Sequence, residues 1–203
     1  MRKKDREKEM KTKGRRMRRR KERRKKAVRD FFGLIAYFLF LCALVYLVLT
    51  YVGQRTVVNG DSMDPTLADG QNLIMDKFSY HFSDPKRFDI VIFPGPLEAG
   101  EHPYYIKRVI GLPGETVQIK EGKVYINGEE LKEDVYGITD YIDEPGIAEE
   151  PLTLSDDEYF CLGDNRIVSF DSRYEEVGPV KRQEFVGRVW IRIWPLHLFG
   201  KVS

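Results

Sequence analysis

The sequence contains few of the residues that commonly hold metals or form disulfides. Among 203 residues there are two cysteines and three histidines. Cys42 lies within a long apolar run and Cys161 lies far beyond it, so we expect no disulfide between them. The histidines are scattered, and neither Cys-x-x-Cys nor His-Glu-x-x-His occurs. Because such spacings are the usual signatures of zinc sites, we predict neither a metal site nor a cofactor.

Acidic residues are scarce at the N-terminus, where basic residues are concentrated. Residues 1–29 hold 18 Lys or Arg and four Asp or Glu, a net charge of +14, whereas the rest of the chain is net acidic. A basic tail of this kind has three interpretations: a nucleic-acid-binding arm, a cytoplasmic flank of a membrane span, or a solvated charge run. The segment that follows the tail decides between them.

That segment has no charged residue from Phe31 to Gln54. As a helix, residues 31–52 would be roughly 33 Å long, which matches the hydrocarbon core of a bilayer. The run is longer than the apolar part of a signal peptide, and no Ala-x-Ala pattern follows it; a buried core helix is the alternative. We predict a basic cytoplasmic tail (1–30), a single transmembrane helix (31–52) and an extracytoplasmic catalytic domain (53–203), oriented by the positive-inside rule. The lipid bilayer is then a partner, and nucleic acid is not.

The domain beyond the apolar run is predicted to be mostly β. Short segments rich in β-branched and aromatic residues are bounded by Pro or Gly, as strands commonly are. They cover residues 88–93, 104–110, 116–120, 123–126, 159–162 and 185–193. Glu121-Gly122 and Asn127-Gly128 are hairpin turn signals. The acidic segment 133–158 is interpreted as an irregular insertion. We expect β-sheets folded into a sandwich or a barrel.

Ser62 lies in the segment Gly60-Asp-Ser-Met-Asp-Pro-Thr-Leu67, which follows the apolar run closely. Taken alone, a serine among Gly, Asp and Pro is most often part of a turn or a helix cap. The segment also differs from the Gly-x-Ser-x-Gly elbow of the α/β-hydrolases. Ser62 therefore becomes a candidate nucleophile only in combination with other residues.

Lys107 lies in a predicted strand that otherwise consists mainly of Tyr, Ile and Val. Alternation puts Lys107 and Arg108 on opposite faces, so one of the two basic residues shares a face with apolar neighbours. A lone lysine usually extends its amine to solvent. A buried lysine instead has a lowered pKa and can accept a proton near neutral pH. Arg108 cannot act as a base, because guanidinium stays protonated in proteins.

The third polar segment, Leu162-Gly-Asp-Asn-Arg-Ile-Val-Ser-Phe-Asp-Ser-Arg173, has no periodic pattern. By itself it is a loop held by its own Asp–Arg pairs, which is also the scaffold that a Ser–Lys site needs. Together the three segments resemble the type I signal peptidases, the bacterial Ser–Lys leader peptidases. The matching motifs, in the order of that family, are Gly60-x-Ser62-Met63-x-Pro65-Thr66-Leu67, Lys107-Arg108-Val-Ile-Gly-Leu-Pro-Gly114 and Gly163-Asp-Asn-Arg166-x-x-Ser169-x-Asp171-Ser-Arg173.

The resemblance, which covers roughly residues 31–195, implies a membrane-bound serine endopeptidase. Such an enzyme cleaves signal peptides from exported preproteins after small residues, in an Ala-x-Ala pattern. It implies Ser62 as the nucleophile, Lys107 as the general base, and Met63 as an apolar residue that faces the substrate and the lipid. The supporting residues that it implies orient the base or brace the third segment: Ser169 beside the lysine, Asp164 and Arg166, and the ion pair Asp171–Arg173. The single predicted span is similar to the Gram-positive members.

Two features depart from the family pattern. Gly60 stands where some members carry a Ser or Thr whose hydroxyl helps to hold the oxyanion. The oxyanion hole would then consist of the Ser62 N–H and a second donor that the sequence does not identify. We expect a serine at position 60 to be tolerated. Ile167-Val168 stands where polar residues are common. The alternatives are a LexA-like self-cleaving regulator, which would be soluble and would bind DNA, and a membrane adaptor without activity.

Overall fold

The computed structural model describes residues 24–26, 29–46, 53–96, 104–137 and 141–202. They belong to two compact units, which are described separately. The first unit contains helix α1 (Arg24–Tyr46), whose 23 residues make it the one helix of the described chain long and apolar enough to cross a membrane. The helix begins before the predicted Phe31, since Lys and Arg are good helix formers. Residues 1–23 and 47–52, parts of the predicted tail and span, lie outside the described residues.

The described part of the second unit contains twelve strands, so the protein is mostly β, as predicted. In chain order they are β1 (Gly53–Val57), β2 (Asn72–Asp76), β3 (Ile90–Pro94), β4 (Tyr104–Gly111), β5 (Thr116–Lys120), β6 (Lys123–Ile126), β7 (Glu129–Glu130), β8 (Leu152–Thr153), β9 (Glu158–Leu162), β10 (Val180–Lys181), β11 (Gly187–Trp194) and β12 (Gly200–Lys201). The larger sheet has the order β1-β2-β11-β3-β4-β9-β10, with β12 paired to β11. The smaller sheet has the order β7-β6-β5-β8.

The β5–β6 hairpin follows its sequence signals residue by residue. Glu121 and Gly122 both have positive φ (52° and 76°), as the two central residues of a type I′ turn require. The turn pairs Lys120 with Lys123. This register puts the alternating apolar residues of both strands on one buried face: Val117, Ile119, Val124 and Ile126. They pack against Ile110 of β4 and against Phe160 and Leu162 of β9.

Other boundaries differ from the predicted ones. Strand β3 begins at Ile90, because Phe88 has a φ of +71° and cannot continue an extended strand. Strands β1 and β2 were not predicted. The segment 133–158 is less irregular than expected: it contains a 3₁₀ turn (Gly146–Ala148) and β8, and its Ile142 is buried in the core beneath the smaller sheet.

Candidate active site

Ser62 begins a tight turn between β1 and β2. The turn is anchored from below, because Met63 and Leu67 are buried in the core with residues of β2, β3 and β11. Backbone hydrogen bonds from Asp64 N to Asp61 O and from Leu67 N to Met63 O close it. Ser62 itself is half-buried and lines a cleft of about 650 Å³. The packing therefore fixes the turn while it leaves the serine hydroxyl accessible.

Lys107 points its amine at this hydroxyl from β4. Its Nζ donates to Ser62 Oγ at 2.8 Å, and only 3% of the residue is exposed. Burial lowers the pKa of Lys107 from 10.5 to about 8. The nearby carboxylates of Asp171 and Asp164 act in the opposite direction, but loss of hydration is the larger effect. The structure thus brings the two predicted catalytic residues into direct contact, and burial makes the neutral form of the Lys107 amine more accessible than in an exposed lysine.

Arg108, the next residue of β4, is also buried, so the strand has no solvated face at this point. The Arg108 guanidinium is 0% exposed and makes a two-pronged ion pair with Asp164, with N–O distances of 2.8 and 2.7 Å. Thr66 donates to the same carboxylate at 2.5 Å. Arg108 therefore connects the strand of Lys107, the turn of Ser62 and the third polar segment. Sequence reasoning excluded Arg108 as a base but missed this contact.

The third polar segment contacts Ser62 through its backbone. Asn165 N donates to Ser62 O at 3.0 Å, and Ser169 N donates to Asn165 O at 3.0 Å. The predicted ion pair is formed, since Arg173 Nε lies 2.8 Å from Asp171 Oδ1 and both side chains are buried. Asp171 also accepts from Gly163 N at 3.0 Å. A side chain at position 163 would collide with Ser169 and with the Ser62 carbonyl, so glycine is required there.

Two supporting residues have partners outside the segment that they were predicted to brace. Asp164 pairs with Arg108, as described above. Arg166 pairs with Asp134 through two N–O contacts of 2.8 Å, and its Nε donates to Gly163 O at 2.8 Å. The interpretation of a loop held by its own Asp–Arg pairs is therefore correct for Asp171 and Arg173 alone.

Ser169 is placed beside the site but is not bonded to the base. Its Oγ is buried and has no hydrogen-bond partner among the residues that the structure describes. The implied hydrogen bond between Ser169 and Lys107 is thus not formed here, where the lysine amine is directed at Ser62. Ser169 instead holds the loop through its backbone, because its carbonyl accepts from Arg173 Nη2 at 3.0 Å.

Met63, which the resemblance implies as a residue facing the substrate and the lipid, is mostly enclosed by the protein. Its side chain is 1% exposed and packs in the core with Val58, Leu67 and Leu73. The side chain next to Ser62 therefore anchors the turn in the core. Met63 contributes part of its surface to the lining of the cleft, and a substrate can meet it only there.

Two strand edges border the cleft. Its lining includes Thr56–Val58 at the end of β1 and Tyr104–Lys107 at the start of β4. β1 is one of the two edge strands of the larger sheet, and among the described residues β9 pairs with β4 only from Arg108 onward. Backbone donors and acceptors of both edges are thus available to an extended peptide. Within the described residues no cluster of three or more His, Cys, Asp or Glu could hold a metal ion.

A serine hydroxyl in contact with a buried, weakly basic lysine defines the class of Ser–Lys hydrolases. The family model "Signal peptidase, peptidase S26" matches residues 31–194. Among the relatives, a probable signal peptidase I-2 of Synechocystis sp. is 40% identical over 159 residues, covering 76% of this chain and 69% of the relative. The signal peptidase I V of Bacillus subtilis is 39% identical over 168 residues, covering 74% and 94%.

A crystal structure of a signal peptidase I from Enterococcus faecalis is 38% identical, with a TM-score of 0.42, and covers 52% of this chain and 97% of that chain. The chain belongs to the signal peptidase family, peptidase S26. It is a membrane-anchored type I signal peptidase, a serine peptidase that cleaves signal peptides. These relatives support neither a self-cleaving regulator nor an inactive adaptor.

Proposed function

We propose that Ser62 is the nucleophile and Lys107 the general base of signal-peptide cleavage. The observation that carries this proposal is the 2.8 Å contact between Lys107 Nζ and Ser62 Oγ at a buried lysine. With a pKa of about 8, a useful fraction of the amine is neutral near neutral pH. A neutral amine has a lone pair that can accept the Ser62 proton, and a distance of 2.8 Å is within hydrogen-bond reach.

Catalysis then proceeds through an acyl-enzyme. Ser62 Oγ attacks the scissile carbonyl carbon while its proton moves to Lys107 Nζ, and the Ser62 N–H donates to the oxyanion that forms. The resulting ammonium returns the proton to the leaving amine as the peptide bond breaks. A water molecule, deprotonated by Lys107, then attacks the ester and releases the signal peptide. Gly60 N does not serve as a second oxyanion donor, because it already donates to Asp69 at 2.7 Å.

The buried ion pairs around the third segment hold these two groups in place. Asp171 fixes Gly163 and Arg173, and Asp164 connects Arg108 with Thr66. Ser169 orients the lysine at the stages of the cycle in which the amine is no longer bonded to Ser62. Its unpartnered hydroxyl is available for that bond. These roles are positional, since no side chain of these ion pairs lies within hydrogen-bond distance of Ser62 Oγ among the contacts described.

The substrate binds as an extended strand in the cleft, between the edges of β1 and β4. A peptide in this conformation directs alternate side chains to the same side. Small residues three and one positions before the cut would therefore face the same wall, which agrees with an Ala-x-Ala requirement. The substrates are preproteins with N-terminal signal peptides, and the cut follows a small residue.

The orientation that we propose puts the N-terminus in the cytoplasm and residues 53–203 outside. The charge of the tail supports this orientation, because positive residues next to a span are retained on the cytoplasmic side. The bilayer is then the partner of α1, and the tail is a membrane flank with no role in nucleic-acid binding. Protease added to intact, wall-stripped cells should degrade the catalytic domain. Protection of that domain would contradict the orientation.

The catalytic assignment is tested with the detergent-solubilised full chain and a preprotein whose signal peptide ends in Ala-x-Ala. Ser62→Ala should fold and show no measurable cleavage, because the covalent route needs the hydroxyl. Ser83→Ala, at a serine outside the cleft, is the matched control and should cleave at the wild-type rate. Near wild-type cleavage by a folded Ser62→Ala would place the nucleophile elsewhere.

A further inference from the structure

Two buried arginines next to the catalytic site, Arg166 and Arg108, both contact the same short segment, residues 134–136. Asp134 binds the guanidinium of Arg166 in a two-pronged contact of 2.8 Å, with side-chain exposures of 6% and 4%. Two residues later, the ring of Tyr136 covers the guanidinium of Arg108, with 3.6 Å from Cζ to the ring centroid. One segment of three residues therefore contacts two arginines that lie in different motifs.

Each of these arginines is connected to the segment around Ser62 by hydrogen bonds. Arg166 Nε donates to Gly163 O, and residue 165 between them donates its N–H to Ser62 O at 3.0 Å. Arg108 binds Asp164, which accepts from Thr66 in the turn of Ser62. A shift of either guanidinium would thus be transmitted to the backbone around Ser62 through one or two hydrogen bonds.

The chemistry of the two contacts explains why a segment outside the motifs is needed. A buried guanidinium has five N–H donors and no acceptor, and it is stable in the interior only when its charge and its donors are satisfied. Arg166 gives Nε to a carbonyl, so Asp134 supplies its countercharge. The face of Arg108 is open once Asp164 occupies its edge, and Tyr136 covers this face by a cation–π contact. Phe88 packs on Tyr136 at 5.1 Å and keeps the ring in place.

We propose that Asp134 and Tyr136 are positioning residues for the catalytic serine and lysine, and that they act through Arg166 and Arg108. They form a clamp (Asp134–Tyr136) that lies within the segment interpreted from the sequence as an irregular insertion. The proposal rests on the assigned roles of Ser62 and Lys107. The clamp is expected to maintain kcat by holding the catalytic groups in position, because a displacement of about 1 Å in a catalytic constellation can cost roughly 10²-fold in rate.

The test is the cleavage kinetics of full-length, detergent-solubilised variants, normalised to the folded fraction measured by circular dichroism. Asp134→Asn and Tyr136→Leu should lower kcat per folded enzyme by about 10- to 100-fold, with KM changed less than about threefold. Asp134→Glu and Tyr136→Phe, which keep the carboxylate and the ring, should recover most of that loss. Glu133→Gln, at the exposed neighbour of Asp134, is the matched control and should keep the wild-type rate.

The pH profile separates positioning from a merely structural role. If the third segment shifts, water reaches Lys107, and the pKa of its amine rises from about 8 toward 10.5. The acid limb of kcat/KM should therefore move to higher pH in Asp134→Asn. Activity that falls only in proportion to the unfolded fraction, with an unchanged acid limb, would refute the proposal. The catalytic assignment would still stand in that case, provided that the wild type and Glu133→Gln are active and Ser62→Ala is inactive.

Discussion

The substitution Lys107→Arg tests whether Lys107 acts as a general base or only as a buried positive charge. Arginine keeps the positive charge and fills the space, but guanidinium does not lose its proton in proteins. If Lys107 accepts the Ser62 proton, Lys107→Arg should be as inactive as Lys107→Ala. General-base catalysis typically contributes about 10²–10⁴-fold, which sets the minimum loss that we expect in kcat. If Lys107 were only a structural cation, Lys107→Arg would keep substantial activity, because arginine supplies the same charge.

The size of the lysine effect follows from its burial. At its usual pKa of 10.5 an amine is about one three-thousandth neutral at pH 7, whereas at a pKa of about 8 it is about one tenth neutral. Burial therefore raises the reactive fraction by about 300-fold, which corresponds to about 3 kcal/mol. Because the base must be neutral in the free enzyme, kcat/KM should rise with pH, about tenfold per unit below pH 8, and level off above it.

The assay is cleavage of an Ala-x-Ala preprotein from pH 5 to pH 10, with Ser62 reactivity toward a serine-directed acylating reagent as a second measurement. Lys107→Met, which is close in size and uncharged, is the control for filling the space without a base. Its circular dichroism spectrum should be that of the wild type. Substantial cleavage by Lys107→Arg, or an acid limb centred far below pH 8, would refute the base role.

Two further predictions concern stability. Lys107→Met should be more stable than the wild type at pH 7, by at most about 3 kcal/mol, because the buried wild-type amine has a lowered pKa. Between pH 8 and 10.5 the unfolded wild-type chain binds more protons than the folded one. The wild type should therefore gain stability as pH rises, and the difference in denaturant unfolding should vanish near pH 10.5; a constant difference would contradict burial as the cause. Gly60→Ser should lower the unfolding free energy by about 1–2 kcal/mol, since Gly60 has a φ of +84°. A Cβ there meets no atom within 4 Å, so unchanged stability would mean that the turn relaxes without cost.

Lys107 could be singled out from the sequence because it is a charged residue among strand-forming apolar residues. Ser62 could not be singled out by itself, since its segment has ordinary turn signals, and it became a candidate only together with the other two motifs. The β5–β6 hairpin, by contrast, was predictable by itself, since its alternation and its two turn signals agree. Expectations were correct where a short stretch of sequence determines the outcome.

The missed contacts are long-range. Arg108 meets Asp164 across 56 positions, and Arg166 meets Asp134 across 32. No local pattern specifies which acidic residue pairs with which arginine, because the choice depends on how β4 packs against the third segment. The burial of Met63 could not be read from its local sequence either, because it depends on how the turn packs against the strands of the core.

Two buried ion pairs, Asp171–Arg173 and Asp164–Arg108, also explain why the pKa of Lys107 is lowered although carboxylates lie nearby. An unpaired Asp171 or Asp164 would stabilise the ammonium and raise the pKa of Lys107, and both act in that direction. Arg173 lowers the same pKa, since it repels the ammonium while it neutralises Asp171. Buried pairs contribute little net stability, because desolvation offsets most of their attraction. Their physical effect here is to cancel the carboxylate charge at the site, so that loss of hydration remains the dominant influence on the base.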